Sequence, residues 1–160
     1  VKAAQTGHLV LSTLHTNDAP QTLNRLMQMG VAPFNIVSAV NLIMAQRLAR
    51  RLCEYCKIPA KFPDIVLKSA GFKEDELNTL KIFSPVGCEH CTNGYKGRVG
   101  IFQVMTLSEA MRALILEGGN AMQLAEQAKS EGINDLRASG LNKIRQGITS
   151  LEEIDRVTKE

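Results

Sequence analysis

The chain has 160 residues, 44% of them hydrophobic and 22% charged, with a net charge of +3. That is enough for one ordinary domain or two small units sharing a boundary, and the composition is globular rather than disordered. A charge this small does not by itself imply a nucleic-acid or anionic-membrane partner, and the absence of Trp with 4% aromatic content argues against a base-stacking platform.

Apolar runs such as "LIMA", Leu42 to Ala45, are far shorter than the roughly 20 residues a membrane-spanning helix needs, so no transmembrane segment is expected. The opening "VKAAQTGH" has neither Met nor the apolar region of a signal peptide, and it reads as a cut through a longer protein.

Taken in chain order, His8 to Leu14 is a Val/Leu-rich run without clean alternation, which predicts a strand covered on both faces and hence a parallel, α/β type of sheet. "DAPQ" then places an acceptor at Asp18, Pro20 near a first turn and Gln21 three residues on, a helix start. Leu23, Leu26 and Met27 share one face of that helix, and Gly30 stops it. A second helix is predicted from Pro33 to about Leu52, with Val37, Val40, Met44 and Leu48 at helical spacing. Arg47, Arg50 and Arg51 near its end either complement the helix dipole or contact a phosphate or a neighbouring subunit.

Residues 53 to 92 are irregular, with short helical pieces at Asp64 to Ala70 and Glu74 to Leu80 and too little apolar surface to fold unaided. Asn93 to Leu107 reads as a turn feeding a strand. Helices follow at Ser108 to Glu117, Asn120 to Glu131, Asp135 to Gln146 and Ser150 to Thr158, the last opened by a capping box of Ser150 and Glu153.

The strongest local signal is the pair of Cys-x-x-Cys turns, Cys53 with Cys56 and Cys88 with Cys91. Each turn can present two sulfurs to a tetrahedral ion, and two turns close a four-sulfur zinc site whose role is structural because no coordination position is left for water. A redox pair would not usually occur twice, and a disulfide scaffold would be shorter with more cysteines. His90 lies between two of the ligands and could substitute for one, although four cysteines need no fifth donor.

His8 and His15 are seven residues apart, about 23 Å along a fully extended strand, so they cannot share a metal or form a close dyad. Ligands of α/β sheets sit at the carboxyl ends of strands, where His15, Thr16 and Asn17 emerge, whereas His8 lies toward the opposite edge.

The run "TGHLVLSTLHTNDAPQTLNRLMQMGVAPFNI", followed by "AQRLARRLC" and "GYKGRVGIF", resembles the C-terminal part of the type IV pilus assembly ATPases, the PilB-like extension motors of the type II/IV secretion ATPase superfamily. The resemblance runs to the closing "TSLEEIDRVTKE". "GHLVLSTLHTN" matches the family's histidine box and the cysteines match its zinc element. The type II secretion motors share both and are the nearest rival; the retraction motors lack the cysteine set. A rival of another class is a stand-alone zinc-stapled interaction or nucleic-acid module using Arg47, Arg50, Arg51, Lys57 and Lys61.

The resemblance implies the end of a RecA-like core with the histidine box over residues 1–52, the zinc element over 53–92, and a strand with a helical C-terminal subdomain over 93–160. It implies that His15 and Thr16 lie near the nucleotide, that His8 belongs to the same catalytic box, and that Gln46 and Arg47 match a family segment whose contacts are nucleotide or packing. It further implies ATP and magnesium as ligands of the full-length protein, a homohexamer, an inner-membrane platform protein as partner, no nucleic acid, and a cytoplasmic site at the inner face of the bacterial inner membrane. No Gly-Lys pair occurs in the sequence. The P-loop and magnesium-ordering motifs, which precede the histidine box in the family, are therefore expected before Val1, and the isolated chain is expected to be inactive.

Overall fold

The computed structural model describes residues 1–159; Glu160, the last residue of the expected C-terminal subdomain, lies outside the described residues. In chain order the elements are α1 (Lys2–Gln5), α2 (Ala19–Gln28), α3 (Pro33–Ala39), β1 (Leu42–Leu52), β2 (Ile58–Ala60), α4 (Asp64–Ala70), a 3₁₀ turn (Glu74–Glu76), β3 (Ile82–Ser84), β4 (Tyr95–Thr106), α5 (Glu109–Leu116), α6 (Ala121–Ser130), α7 (Leu136–Arg145) and α8 (Leu151–Thr158). The chain is thus mixed α/β. It divides into two units, residues 1–46 with 102–135, and residues 47–101 with 136–160.

The first unit is mainly helical. Asp18 opens α2 as predicted, its side chain accepting from the Gln21 N–H at 2.8 Å. The buried Gln103 amide accepts from the Ala19 N–H at 3.0 Å, so a second side chain satisfies an otherwise unpaired donor at the same helix start. Ser108 and Asn120 cap α5 and α6 in the same way, accepting from Met111 and Gln123. Leu23, Ile36, Met105, Met111, Ile115 and Leu124 are fully buried, each contributing roughly 1.5–3 kcal/mol of apolar burial.

In the second unit, α7 lies against α8 so closely that a Cβ on Gly140 would sit 2.7 Å from Ile154 Cγ2. Leu136, Leu141, Ile144, Leu151 and Ile154 fill its core with Leu52, Phe72 and Ile82. Arg145 grips both carboxylate oxygens of Glu76 at 2.7 Å while its guanidinium lies 5.1 Å over the Phe72 ring. This fork holds the Glu76 carboxyl down at about 2 against the burial that opposes it.

Four expectations are corrected. The helix predicted from Pro33 to Leu52 ends at Ala39, and Leu42–Leu52 is strand β1. Met, Ala, Gln, Arg and Leu favour a helix locally, but pairing with β4 and the alternating burial of Ile43, Ala45 and Ala49 outweigh that preference. Arg47, Arg50 and Arg51 are consequently strand residues and complement no helix dipole. Residues 8–16 form no regular element, and Leu9 and Leu11 are 91% and 89% exposed; a strand satisfies its backbone only beside another, and none lies beside this one among the described residues.

The parallel sheet is likewise absent among the described residues, which hold two two-stranded sheets, β1 with β4 and an antiparallel β2 with β3. Finally, the piece predicted as helical from Glu74 to Leu80 is reduced to the 3₁₀ turn at Glu74–Glu76. The helix at Asp64–Ala70 has the predicted bounds.

Candidate functional site

The two Cys-x-x-Cys turns come together in the second unit. Cys53 follows the last residue of β1, where its N–H donates to Gly94 O at 2.9 Å, and the chain turns back with Cys56 and Lys57 both donating to Cys53 O. Cys88 and Cys91 form the matching turn, closed by Cys91 N–H to Cys88 O.

All four Sγ atoms lie within 4.8 Å of one another, and the pairs Cys53–Cys88, Cys56–Cys91 and Cys88–Cys91 are 3.8, 3.7 and 3.7 Å apart. A disulfide needs about 2.05 Å, so none is formed. Sulfurs at about 2.3 Å from a central ion stand about 3.8 Å from one another in a regular tetrahedron. The observed edges meet that value, so the cluster fits one tetrahedral metal ion.

Backbone N–H groups support the sulfurs: Gly87 donates to Cys56 Sγ and Cys88 to Cys91 Sγ, both at 3.3 Å. Without a cation the thiols of Cys88 and Cys91 are pushed in opposite directions. Burial raises the Cys91 thiol, but the Cys88 N–H and the neighbouring thiols outweigh it and bring Cys91 down to about 7. For Cys88 the His90 N–H acts downward, yet burial and the other three thiols push it up to about 12. A bound dication removes that conflict. His90 stacks on Tyr55 with ring centroids 4.7 Å apart and lies 3.5 Å from Glu89; it is not among the four clustered donors.

Gly94 joins the turns. It adopts φ +81°, and a Cβ there would lie 2.4 Å from Pro85 Cβ and 2.8 Å from Val86 N. Gly94→Ala should therefore cost about 2–4 kcal/mol and weaken metal retention about tenfold or more, read by competition with a chelator; unchanged retention would show that the turns close without this approach.

Beside this centre, a buried ionic clamp closes β1 onto α8. Glu153 is fully buried and accepts from the Arg50 N–H at 2.8 Å, from Arg50 Nε and Nη2 at 2.9 and 2.6 Å, and from Arg156 at 2.9 and 2.6 Å. Burial raises this carboxyl, but the Arg156 and Arg50 bonds win and hold it at about 2. The predicted capping box is thus half made: Ser150 accepts from Glu153 N–H at 3.2 Å while the Glu153 carboxylate serves the arginines. Arg50 also lies 4.1 Å over the Tyr95 ring, whose hydroxyl meets Ser150 Oγ at 2.7 Å.

His8 and His15 lie in the first unit. His15 and Thr16 line an open hollow of about 380 Å³ with Asn17, Gln21, Asn24, Arg25 and Gln28. Thr16 Oγ1 is 2.8 Å from Thr22 Oγ1, which steadies the loop against α2. His8 does not line the hollow; it is exposed, with Nδ1 3.3 Å from Thr6 Oγ1. Arg47 lies on β1 in the other unit. The contribution of α2 went unread in the sequence, where positions 21, 24, 25 and 28 show as polar residues at helical spacing.

Fold and site together define a mixed α/β chain with a tetracysteine cluster that could hold one metal ion. By sequence it belongs to the family described as type II/IV secretion system protein, which matches residues 1–156. The type IV pilus assembly ATPase PilB of Pseudomonas aeruginosa is 59% identical over 160 residues, covering 100% of this chain and 28% of that protein. PilB of Acinetobacter baylyi is 56% identical over 162 residues, again 100% and 28%. The type II secretion system ATPase E of Vibrio cholerae is 44% identical over 163 residues, 100% of this chain and 31% of its own length. The chain therefore spans less than a third of the length of these curated relatives.

Proposed function

We propose that this chain is the C-terminal part of a hexameric ATPase motor that powers type IV pilus assembly, coupling ATP hydrolysis to pilin polymerisation. The observation that carries the reading is identity over the whole chain: 59% and 56% to two pilus assembly ATPases against 44% to a type II secretion ATPase, which stands as the second reading.

In this reading residues 1–52 close a RecA-like core, and the exposed run at Leu9 and Leu11 is covered by parts of the longer protein. The hollow at His15 and Thr16 faces the nucleotide, with His8 in the same catalytic box and Arg47 at a phosphate or subunit contact. Cys53, Cys56, Cys88 and Cys91 hold a structural zinc ion, which supplies folding energy and no chemistry. ATP and magnesium are held by groups of the longer protein, so this chain alone hydrolyses no ATP. The motor acts at the cytoplasmic face of the inner membrane against a platform protein; among the described residues no helix is long and apolar enough to cross a membrane.

In the full-length protein, His15→Ala should lower ATP turnover about tenfold or more, equivalent to about 1.4 kcal/mol or more of transition-state stabilisation. Zinc content and assembly should be unchanged. Normal turnover would leave His15 as trim of an exposed loop.

A further inference from the structure

The first unit holds four lysines and arginines: Lys2, Arg25, Arg112 and Lys129. Arg112 is committed to the backbone, donating to Leu107 O at 3.2 Å and to Val37 O. Lys2 and Lys129 are exposed on α1 and α6 and do not line the hollow at His15. Arg25 does line it, and no ion pair among the described residues includes Arg25.

One face of α2 builds the wall of the hollow. Gln21, Asn24, Arg25 and Gln28 follow i, i+3, i+4, i+7 spacing, while Ala19 and Leu23 bury the opposite side of the helix. Residues 1–53 contain a single acidic side chain, Asp18. Its two oxygens accept from the Gln21 N–H at 2.8 Å and from Gln21 Nε2 at 3.0 Å, and it does not line the hollow. The lining is therefore a guanidinium, an imidazole, a hydroxyl and four amides, with no carboxylate and no apolar residue. It offers no anionic oxygen to a divalent cation and no apolar face to a nucleobase. A phosphate group suits it, because a guanidinium meets two phosphate oxygens with parallel N–H bonds and the amides add further donors.

On the reading that the hollow faces the nucleotide, we propose that Arg25 meets the terminal phosphate of a bound nucleoside triphosphate, together with His15, and so separates triphosphate from diphosphate. The base and the magnesium ion are then held outside the hollow, by groups of the longer protein. Charge spreads over the oxygens of a transferring phosphoryl group, so a guanidinium fixed on a helix beside them also favours the hydrolytic step. Its place on α2, next to the Asp18 cap, sets Arg25 on a rigid element while His15 sits on the loop before it.

The test uses the full-length protein, with the magnesium complexes of AMP-PNP and ADP each displacing a fluorescent nucleotide. Arg25→Ala should weaken AMP-PNP binding about tenfold or more and leave ADP within about threefold. Lys129→Ala, which removes a cation outside the hollow, should move neither. Where Arg25→Ala loses its zinc, Arg25→Lys is read instead, with a loss of about threefold for AMP-PNP because an ammonium cannot make the paired bonds. His15→Ala should also lower the preference for AMP-PNP. If it does so while Arg25→Ala keeps the native preference, the Arg25 contact is overturned and the nucleotide reading stands; if neither variant alters the preference, both fall. Equal losses for AMP-PNP and ADP, or loss of assembly with the preference kept, would put Arg25 in packing or a subunit contact and overturn the proposal.

Discussion

Stripping the metal with a chelator, or replacing Cys53 by Ser, should release the segment from Cys53 to Gly94 from its fold. Apparent binding free energies of structural zinc are about 10–16 kcal/mol, more than the whole stability of many domains. Between the two Cys turns the chain offers only β2, β3, a short α4 and a 3₁₀ turn, with Leu67, Ala70, Phe72 and Ile82 as its buried apolar residues. Hydrogen exchange followed by mass spectrometry should show amides of residues 53–94 losing protection, while α5 and α6 of the other unit keep theirs. Undiminished protection after metal removal would mean that the loops hold themselves.

The second large effect is expected at Glu153. Glu153→Ala removes the acceptor of five hydrogen bonds and leaves the Arg50 N–H without its partner. Breaking a buried pair of this kind costs about 3–5 kcal/mol, lowered here because both guanidiniums reach solvent. A loss of about 3 kcal/mol is expected in denaturant titration.

The same carboxyl makes stability pH-dependent. Its folded value of about 2 is depressed below the roughly 4.3 of an unfolded Glu, so the stabilisation is complete above that value and disappears as pH falls toward 2. The shift corresponds to about 3 kcal/mol. Glu153→Gln should flatten the acid limb of the stability curve; an unchanged limb would assign acid sensitivity elsewhere, with Glu76 beside Arg145 the next group to test.

What the sequence showed and what it hid follow from the range of the forces involved. The starts of α2, α5, α6 and α8 were readable because Asp18, Ser108, Asn120 and Ser150 act on an N–H three residues away. The cysteine cluster was readable because each Cys pair is a local turn, even though the two turns lie 35 residues apart. β1 was misread because its residues favour a helix until β4, some fifty residues later, supplies a partner. Glu153 was read as a local cap, and its pairing with Arg50 crosses 103 residues that no short-range pattern spans. Leu9 to Leu11 carry the composition of a strand, and composition alone provides no neighbour to pair with.

X-ray absorption at the zinc edge on the purified chain tests the tetracysteine reading most directly. About one zinc per molecule, surrounded by four sulfurs at about 2.3 Å, is the expected result. A folded chain without metal, or a coordination shell containing nitrogen or oxygen in place of one of the four sulfurs, would contradict it.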